Sequence, residues 1–158
     1  MILDAFEDFA ALLAPMRPLL GLDLGDKTIG VAASDRLMAS ANAVETIRRR
    51  KFGLDAARLL DIAAGREAGG LILGLPRNMD GSEGPRCQST RAFARNVERL
   101  TDLPIGFWDE RLSTVAAERA LIEADLTRKR RKEVIDAVAA SYILQGALDR
   151  LKHLRADT

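Results

Sequence analysis

One cysteine, one histidine, one tryptophan and one tyrosine in 158 residues leave several chemistries without material. A lone Cys87 cannot close a disulfide within the chain, and with His153 as the single histidine it cannot build a cysteine–histidine zinc site. A reducing cytoplasm is the expected compartment. His153 lies near the C-terminus and reads as a surface residue, not as a catalytic base. No apolar run approaches the roughly 20 residues that span a bilayer, and the N-terminus lacks the basic start of a secretory signal. A soluble protein without membrane contact is expected. Internal repeats and low-complexity linkers are absent as well. At this length one domain is expected, with roughly two-thirds of its unfolded surface buried.

Charge is present in quantity but unevenly. The net charge is +1, yet Arg48-Arg49-Arg50-Lys51 and Arg128-Lys129-Arg130-Arg131-Lys132 hold nine of the 24 basic residues, which leaves the rest of the chain with an excess of eight acids. A single run of this kind is ordinarily a solvated loop. Two of them on an otherwise acidic chain point to a local anion footprint, for which nucleic acid is the natural ligand.

The chain is organised around Leu19-Leu20-Gly21-Leu22-Asp23-Leu24-Gly25-Asp26-Lys27-Thr28-Ile29-Gly30-Val31-Ala32. Alternation puts Leu20, Leu22 and Leu24 on one face of a strand and Leu19, Gly21 and Asp23 on the other. A carboxylate on an otherwise apolar or bare face costs free energy without a partner, and a divalent cation offsets it best. Acids at strand ends also form turns and cap helices, so the stretch alone leaves both readings open. It resembles the first hairpin of ribonuclease H-like nucleases and also the phosphate loop of actin-like ATPases. The second group needs two domains facing each other across a nucleotide, and this chain supplies one.

Residues 1–18 read as an added element: Ile2, Phe6, Phe9 and Leu13 form one helical stripe, ended by Pro15 and Pro18. After the hairpin, Met38–Ile47 is expected as a third strand, Leu54–Ala68 as a helix stopped by Gly69-Gly70, and Leu71–Leu75 as a buried strand broken by Pro76. Pro76–Pro85 is a loop by composition, with Asp80-Gly81 as its tightest turn. A helix from about Arg86 to Leu100 and a fifth strand over Pro104–Trp108 follow. Ser113 or Thr114 can cap a helix bearing Val115, Leu121 and Ile122, and a last helix runs from about Lys132 to Leu154. Its expected buried side carries Ile135, Val138, Ala139, Tyr142, Ile143 and Gly146.

This order makes the protein α/β: three antiparallel strands, then alternating helices and strands. Asp23 and Glu110 would emerge at one edge of the sheet, where open parallel sheets bind ligands, and Asp136 stands in the first turns of the last helix. The run at Arg48–Lys51 would leave by the same edge. Asp109 and Glu110 cannot both face that cleft if the strand continues through them, and Glu110 is preferred. In the strand order that the ribonuclease H-like resemblance implies, the fifth strand would then stand roughly 10 Å from the first, a gap that helix or metal geometry must close.

Four segments resemble, in order, the motifs of the RuvX/YqgF family: Leu22–Ala32, Gly74–Glu83, Asp109–Thr114 and Ile135–Ala140. The resemblance runs from about residue 19 to 150. It implies a ribonuclease H-like fold similar to that of RuvC, with a five-stranded mixed sheet in the order 3-2-1-4-5 flanked by helices. Residues 1–18 would be a helical extension and 19–158 the nuclease domain. Family members are regarded as candidate nucleases that mature the 5′ end of pre-16S ribosomal RNA. Carried over, Asp23, Glu110 and Asp136 would hold one or two Mg²⁺ or Mn²⁺ ions and form the catalytic set. Lys27 and Lys132 would contact the scissile phosphate or be solvated lysines. Asn78 and Asp80 would reach substrate or metal, or else form a turn, and Arg111 joins the substrate-binding set. The implied partners are structured RNA of the pre-ribosomal particle or, alternatively, branched DNA, with the chain a monomer or weak homodimer. A different class remains open: a ribosome-assembly or transcription factor that binds RNA without cutting it.

Overall fold

The computed structural model describes residues 1–112 and 128–156, and for residues 128–134 the helical backbone alone. The elements are β1 (Ile2–Leu3), α1 (Phe6–Ala11), β2 (Leu19–Leu24), β3 (Thr28–Ser34), β4 (Ala41–Arg48), α2 (Phe52–Arg66), β5 (Gly70–Leu75), α3 (Pro85–Glu98), β6 (Ile105–Asp109), a 3-10 turn (Glu110–Leu112) and α4 (Arg128–Ala156). The helix expected around Val115, Leu121 and Ile122, with its cap at Ser113 or Thr114, lies outside the described residues, as does the side chain of Lys132.

All six residues of β2 are buried, as are all six of β5, because helices cover both faces of the sheet. The expected alternation holds. Leu20, Leu22 and Leu24 join a core with Leu59 and Ile62 of α2 and Phe93 and Val97 of α3. Leu19 faces the other core, with Ala140, Ile143 and Leu144 of α4 and Phe9 of α1. The long helix therefore buries a stripe centred on Ala140, Ile143, Leu144 and Ala147, while Ile135, Val138, Tyr142 and Gly146 are only half-buried.

The sheet order is β1-β6-β5-β2-β3-β4, with β2 antiparallel to β3, β3 to β4, and β2, β5, β6 and β1 mutually parallel. The five expected strands stand in the expected order, and a sixth is added. Ile2 and Leu3, assigned from the sequence to a helix, pair with Ile105 and Gly106, and the amide of Ile105 donates to the carbonyl of Met1 at 2.8 Å. The open edge of β6 satisfies their backbone groups, which a first helical turn would have left to water. Only Phe6–Ala11 is helical, and its Phe9 is fully buried against Gly106.

Two boundaries also move. The third strand begins at Ala41, because the Asp35 carboxylate accepts the amides of Ala39 and Ser40 and closes a turn that holds Met38 at φ 56°. Helix α2 stops at Arg66, before the glycines, since Glu67 takes the left-handed conformation (φ 57°) and the Ala68 amide returns to the Ala63 carbonyl at 2.9 Å. No described helix is long and apolar enough to cross a membrane.

Candidate active site

The carboxyl ends of β2, β5 and β6 share one edge, and β4, antiparallel to its antiparallel neighbour, delivers Arg48 to that edge too. Asp23 lies on the α4 face of β2 and is only 3% exposed. It sits directly opposite Gly30 of β3. A side chain at Gly30 would run into the backbone of Asp136, with its Cβ 1.9 Å from the Asp136 carbonyl oxygen. The missing side chain lets α4 settle on the sheet at this point, and that contact brings Asp136 to Asp23's side of the hairpin. The hydroxyl of Thr28, at the start of β3, donates to the Asp136 carboxylate.

Glu110 stands in the 3-10 turn after β6, past the last strand residue Asp109. Its side chain folds back over β5, with Oε1 2.7 Å from where a Cβ on Gly74 would be. Gly74 follows Leu73, the register partner of Leu22, so it lies alongside Asp23. A bare glycine thus lets Glu110 cross the β5 strand, and the span expected at roughly 10 Å shrinks to about one strand spacing, ~5 Å. Asp109 goes elsewhere. It accepts a fork of hydrogen bonds from Arg111, at 2.7 Å for the shortest, and that guanidinium holds its carboxyl below the usual aspartate range.

Across the sheet the order is Glu110 over Gly74, Asp23, Gly30, then Asp136. Among the described residues no three of His, Cys, Asp and Glu come together as a ready-made metal cage. The donor chemistry is nevertheless that of a hard cation, because every candidate ligand is a carboxylate oxygen and two glycines keep side chains out of the space between them. Mg²⁺ retains several waters and is commonly held by one or two carboxylates, so adjoining Asp23 and Glu110 fit it without a closed cage.

Beside Asp136 opens a cleft of about 1360 Å³, lined by Lys27, Thr28, Arg48, Arg49 and Arg50 among others. Lys27 is exposed in the turn between β2 and β3. The backbone of this basic run is held by Asp55, a buried carboxylate in the first turn of α2 that accepts the Arg50 amide at 3.0 Å. The second basic run begins α4, so its backbone reaches Asp136 along one helix.

The loop after β5 is arranged differently. Asn78 donates to the Ser82 hydroxyl at 2.9 Å, Asp80 accepts both the Ser82 amide and hydroxyl, and Gly81 makes the turn at φ 89°. These bonds to Ser82 hold the Asp80 carboxyl below its ordinary value. Arg111 braces the loop from outside by donating to the Met79 carbonyl at 3.3 Å. Asn78, Asp80 and Arg111 are therefore engaged with the protein itself, the turn alternative for the first two.

The sequence marks Gly30 as a place where the backbone can come close to a second chain segment, and the Asp136 backbone is that segment. Thr28, Gly74 and Asp55 carry no such mark, because each acts through proximity between distant segments.

The chain matches the family model described as "RuvX: Holliday junction resolvase" over residues 17–150. A protein of Ruegeria sp. (strain TM1040), named as a candidate pre-16S rRNA nuclease, is 75% identical over 99% of both chains. One of Jannaschia sp. (strain CCS1) with the same name is 69% identical, again over 99% of each. Among solved structures, Thermus thermophilus RuvC in complex with a Holliday junction superposes with a TM-score of 0.54 at 12% identity, covering 86% of this chain and 96% of that one. That likeness is of fold, and the sequence matches carry the kinship: the chain belongs to the RuvX family.

Proposed function

We propose that this chain is a divalent-metal-dependent endonuclease that trims the 5′ end of pre-16S ribosomal RNA within pre-ribosomal particles. It would work in the cytoplasm as a monomer or weak homodimer, with residues 19–158 as the nuclease unit and 1–18 as an extension that completes the sheet. The observation that carries the reading is Glu110 folding over Gly74 to the flank of Asp23, at the edge where the cationic cleft opens. The names of the close relatives supply the substrate.

Asp23 and Glu110 would hold Mg²⁺ or Mn²⁺, with Asp136 completing the set. Bound there, the ion supplies a water activated for in-line attack and stabilises the departing oxygen. The chain's own part is positional. Thr28 fixes the Asp136 carboxylate by donating to it, and the buried face of β2 keeps Asp23 from turning away. Lys27 and Arg48, on the wall next to Asp136, would neutralise the phosphate being attacked, and Lys132, one helical turn before Asp136, is a further candidate for that role.

The test is cleavage of a 5′-extended 16S precursor by wild type and Asp23→Asn, with Mn²⁺ or EDTA, beside a four-way DNA junction. Cutting of the RNA by wild type with metal alone is the expected result. Metal-independent cutting that survives Asp23→Asn would sink the reading. Preferential cutting of the junction would favour resolution, the reading that the family description supports. Binding without cutting would make the chain an RNA-associated assembly factor.

A further inference from the structure

A second, smaller cleft of about 460 Å³ opens on the other side of the β2–β3 turn, against the first turns of α3. Gly25, Arg49, Arg50, Arg86, Ser89 and Phe93 line it, and exposed Asp26 is its one acid. It shares Gly25, Asp26, Arg49 and Arg50 with the larger cleft that holds Asp136, so the two are continuous over the turn.

Several arginines elsewhere on the molecule are matched to acids. Arg36 is tied to Glu67, Arg58 to Glu45, Arg91 to Glu83 and Arg111 to Asp109. Arg49 instead donates to a neutral acceptor, the Gly25 carbonyl at 2.7 Å, and its guanidinium stands 5.8 Å from the centre of the Phe93 ring. These contacts fix its direction without cancelling its charge. Among the described residues the side chains of Arg50 and Arg86 enter no ion pair. Asp55 accepts the backbone amide of Arg50 and makes no ion pair with its guanidinium. Three guanidiniums converge on one cleft with a single exposed acid among them, an arrangement that repels itself until an anion enters.

We propose that this cleft is a phosphate subsite for the strand flanking the scissile bond, which leaves the active site over the β2–β3 turn and crosses Arg49, Arg50 and Arg86. The subsite rests on the nuclease reading and adds a path to it. The path takes its ligand by backbone charge and is indifferent to base sequence.

The experiment uses the Asp23→Asn chain, which keeps the substrate uncut, and measures its affinity for a single-stranded RNA oligomer across a salt series, with and without Arg50→Gln plus Arg86→Gln. Both arginines are exposed, so the fold should survive, and thermal melting checks it. Two lost phosphate contacts should make the slope of log K against log salt shallower by about 1.4. Arg86→Gln alone, at a residue that lines only the smaller cleft, should weaken binding of a long oligomer and leave unchanged that of one short enough to fill only the cleft beside Asp136. An unchanged slope in a folded double variant would overturn the subsite. So would an equal change from Arg36→Gln, a cation at the opposite end of β3, because the effect would then be net charge alone. If the Asp23→Asn chain binds neither RNA nor single-stranded DNA, the nuclease reading fails and the subsite with it.

Discussion

Two loops at the same sheet edge use arginine in opposite ways. The segment after β5, residues 76–84, is closed on itself: Glu83 takes a two-pronged ion pair from Arg91 at 2.6 and 2.8 Å and a third contact from Arg77, while Arg111 and Asp109 brace the tip. Arg91 also reaches Asp4 of the N-terminal segment at 2.7 Å and lies 4.8 Å from the centre of the Phe107 ring. Around the β2–β3 turn, Lys27, Arg48 and Arg50 have no acidic partner among the described residues. Counting charges along the sequence marks Arg48–Lys51 as basic but does not say whether its cations are matched. Pairing does: around residues 76–84 the cations are matched to acids, and around the β2–β3 turn they are left for the proposed ligand.

The largest effects should come from the acids at the sheet edge where the unmatched cations lie. Asp23→Asn should reduce metal-dependent cleavage to the level seen in EDTA with little change in melting. If the loss were no greater than that from Arg91→Ala, the division between a working region and a bracing region would collapse. Gly74→Ala comes next. A methyl there would meet Glu110 Oε1 and Ile143 Cδ1, each at 2.7 Å, so Glu110 must swing away from Asp23. Activity should fall by about 10- to 100-fold, as for other supports of a metal site. Combining Gly74→Ala with Glu110→Gln should cost no more activity than Glu110→Gln alone; additive losses would show that the glycine does not act through Glu110.

Gly30→Ala tests the same packing through stability. Its new methyl would meet backbone, which cannot rotate aside, so a loss of about 1–3 kcal/mol is expected from denaturant titration. Arg91→Ala should cost less, about 1 kcal/mol, because its pairs are partly exposed. The guanidinium holds Glu83 below the ordinary glutamate value of 4.5. A carboxyl depressed in the folded state contributes fully above that value and stops contributing as falling pH protonates the folded form. The melting difference between wild type and Arg91→Ala should therefore be constant near neutrality and narrow below pH 4.5. A difference that stayed constant into acid would mean that Arg91 acts through its packing on the Phe107 ring, not through a carboxylate. Arg36→Gln, breaking one exposed pair with Glu67, should shift stability by less than about 1 kcal/mol.

Much of this architecture could be read before any coordinates. Strict alternation in Leu19–Leu24 fixed which face carries Asp23, and the apolar run Leu71–Leu75 declared a strand covered on both sides. Strand order was supplied by family resemblance, since periodicity carries no information about which strands are neighbours. What stayed hidden was short or conformational. A two-residue strand has no period, so Ile2 fell into a helical stripe by coincidence of spacing. Glu67 adopts a conformation that sequence preference assigns to the glycines after it. Alternation separates Glu110 from Asp109 only if the strand continues, and it ends at Asp109; the path of Glu110 over β5 depends instead on an absent side chain at Gly74. For Asn78 and Asp80, loop composition permitted both a reaching and a folding role, and the Ser82 hydroxyl draws both inward.

The pairing of β1 with β6 also bears on the order in which the chain can be completed. Ile2 and Leu3 are made about a hundred residues before their partners, Ile105 and Gly106. Until then Phe6 and Phe9 have no Trp108 or Gly106 to lie against. The segment lacks its sheet partner until β6 is made, and its capture is a late, long-range closure of the kind that slows folding. A bulky group attached just before Ile2 would burden this closing step.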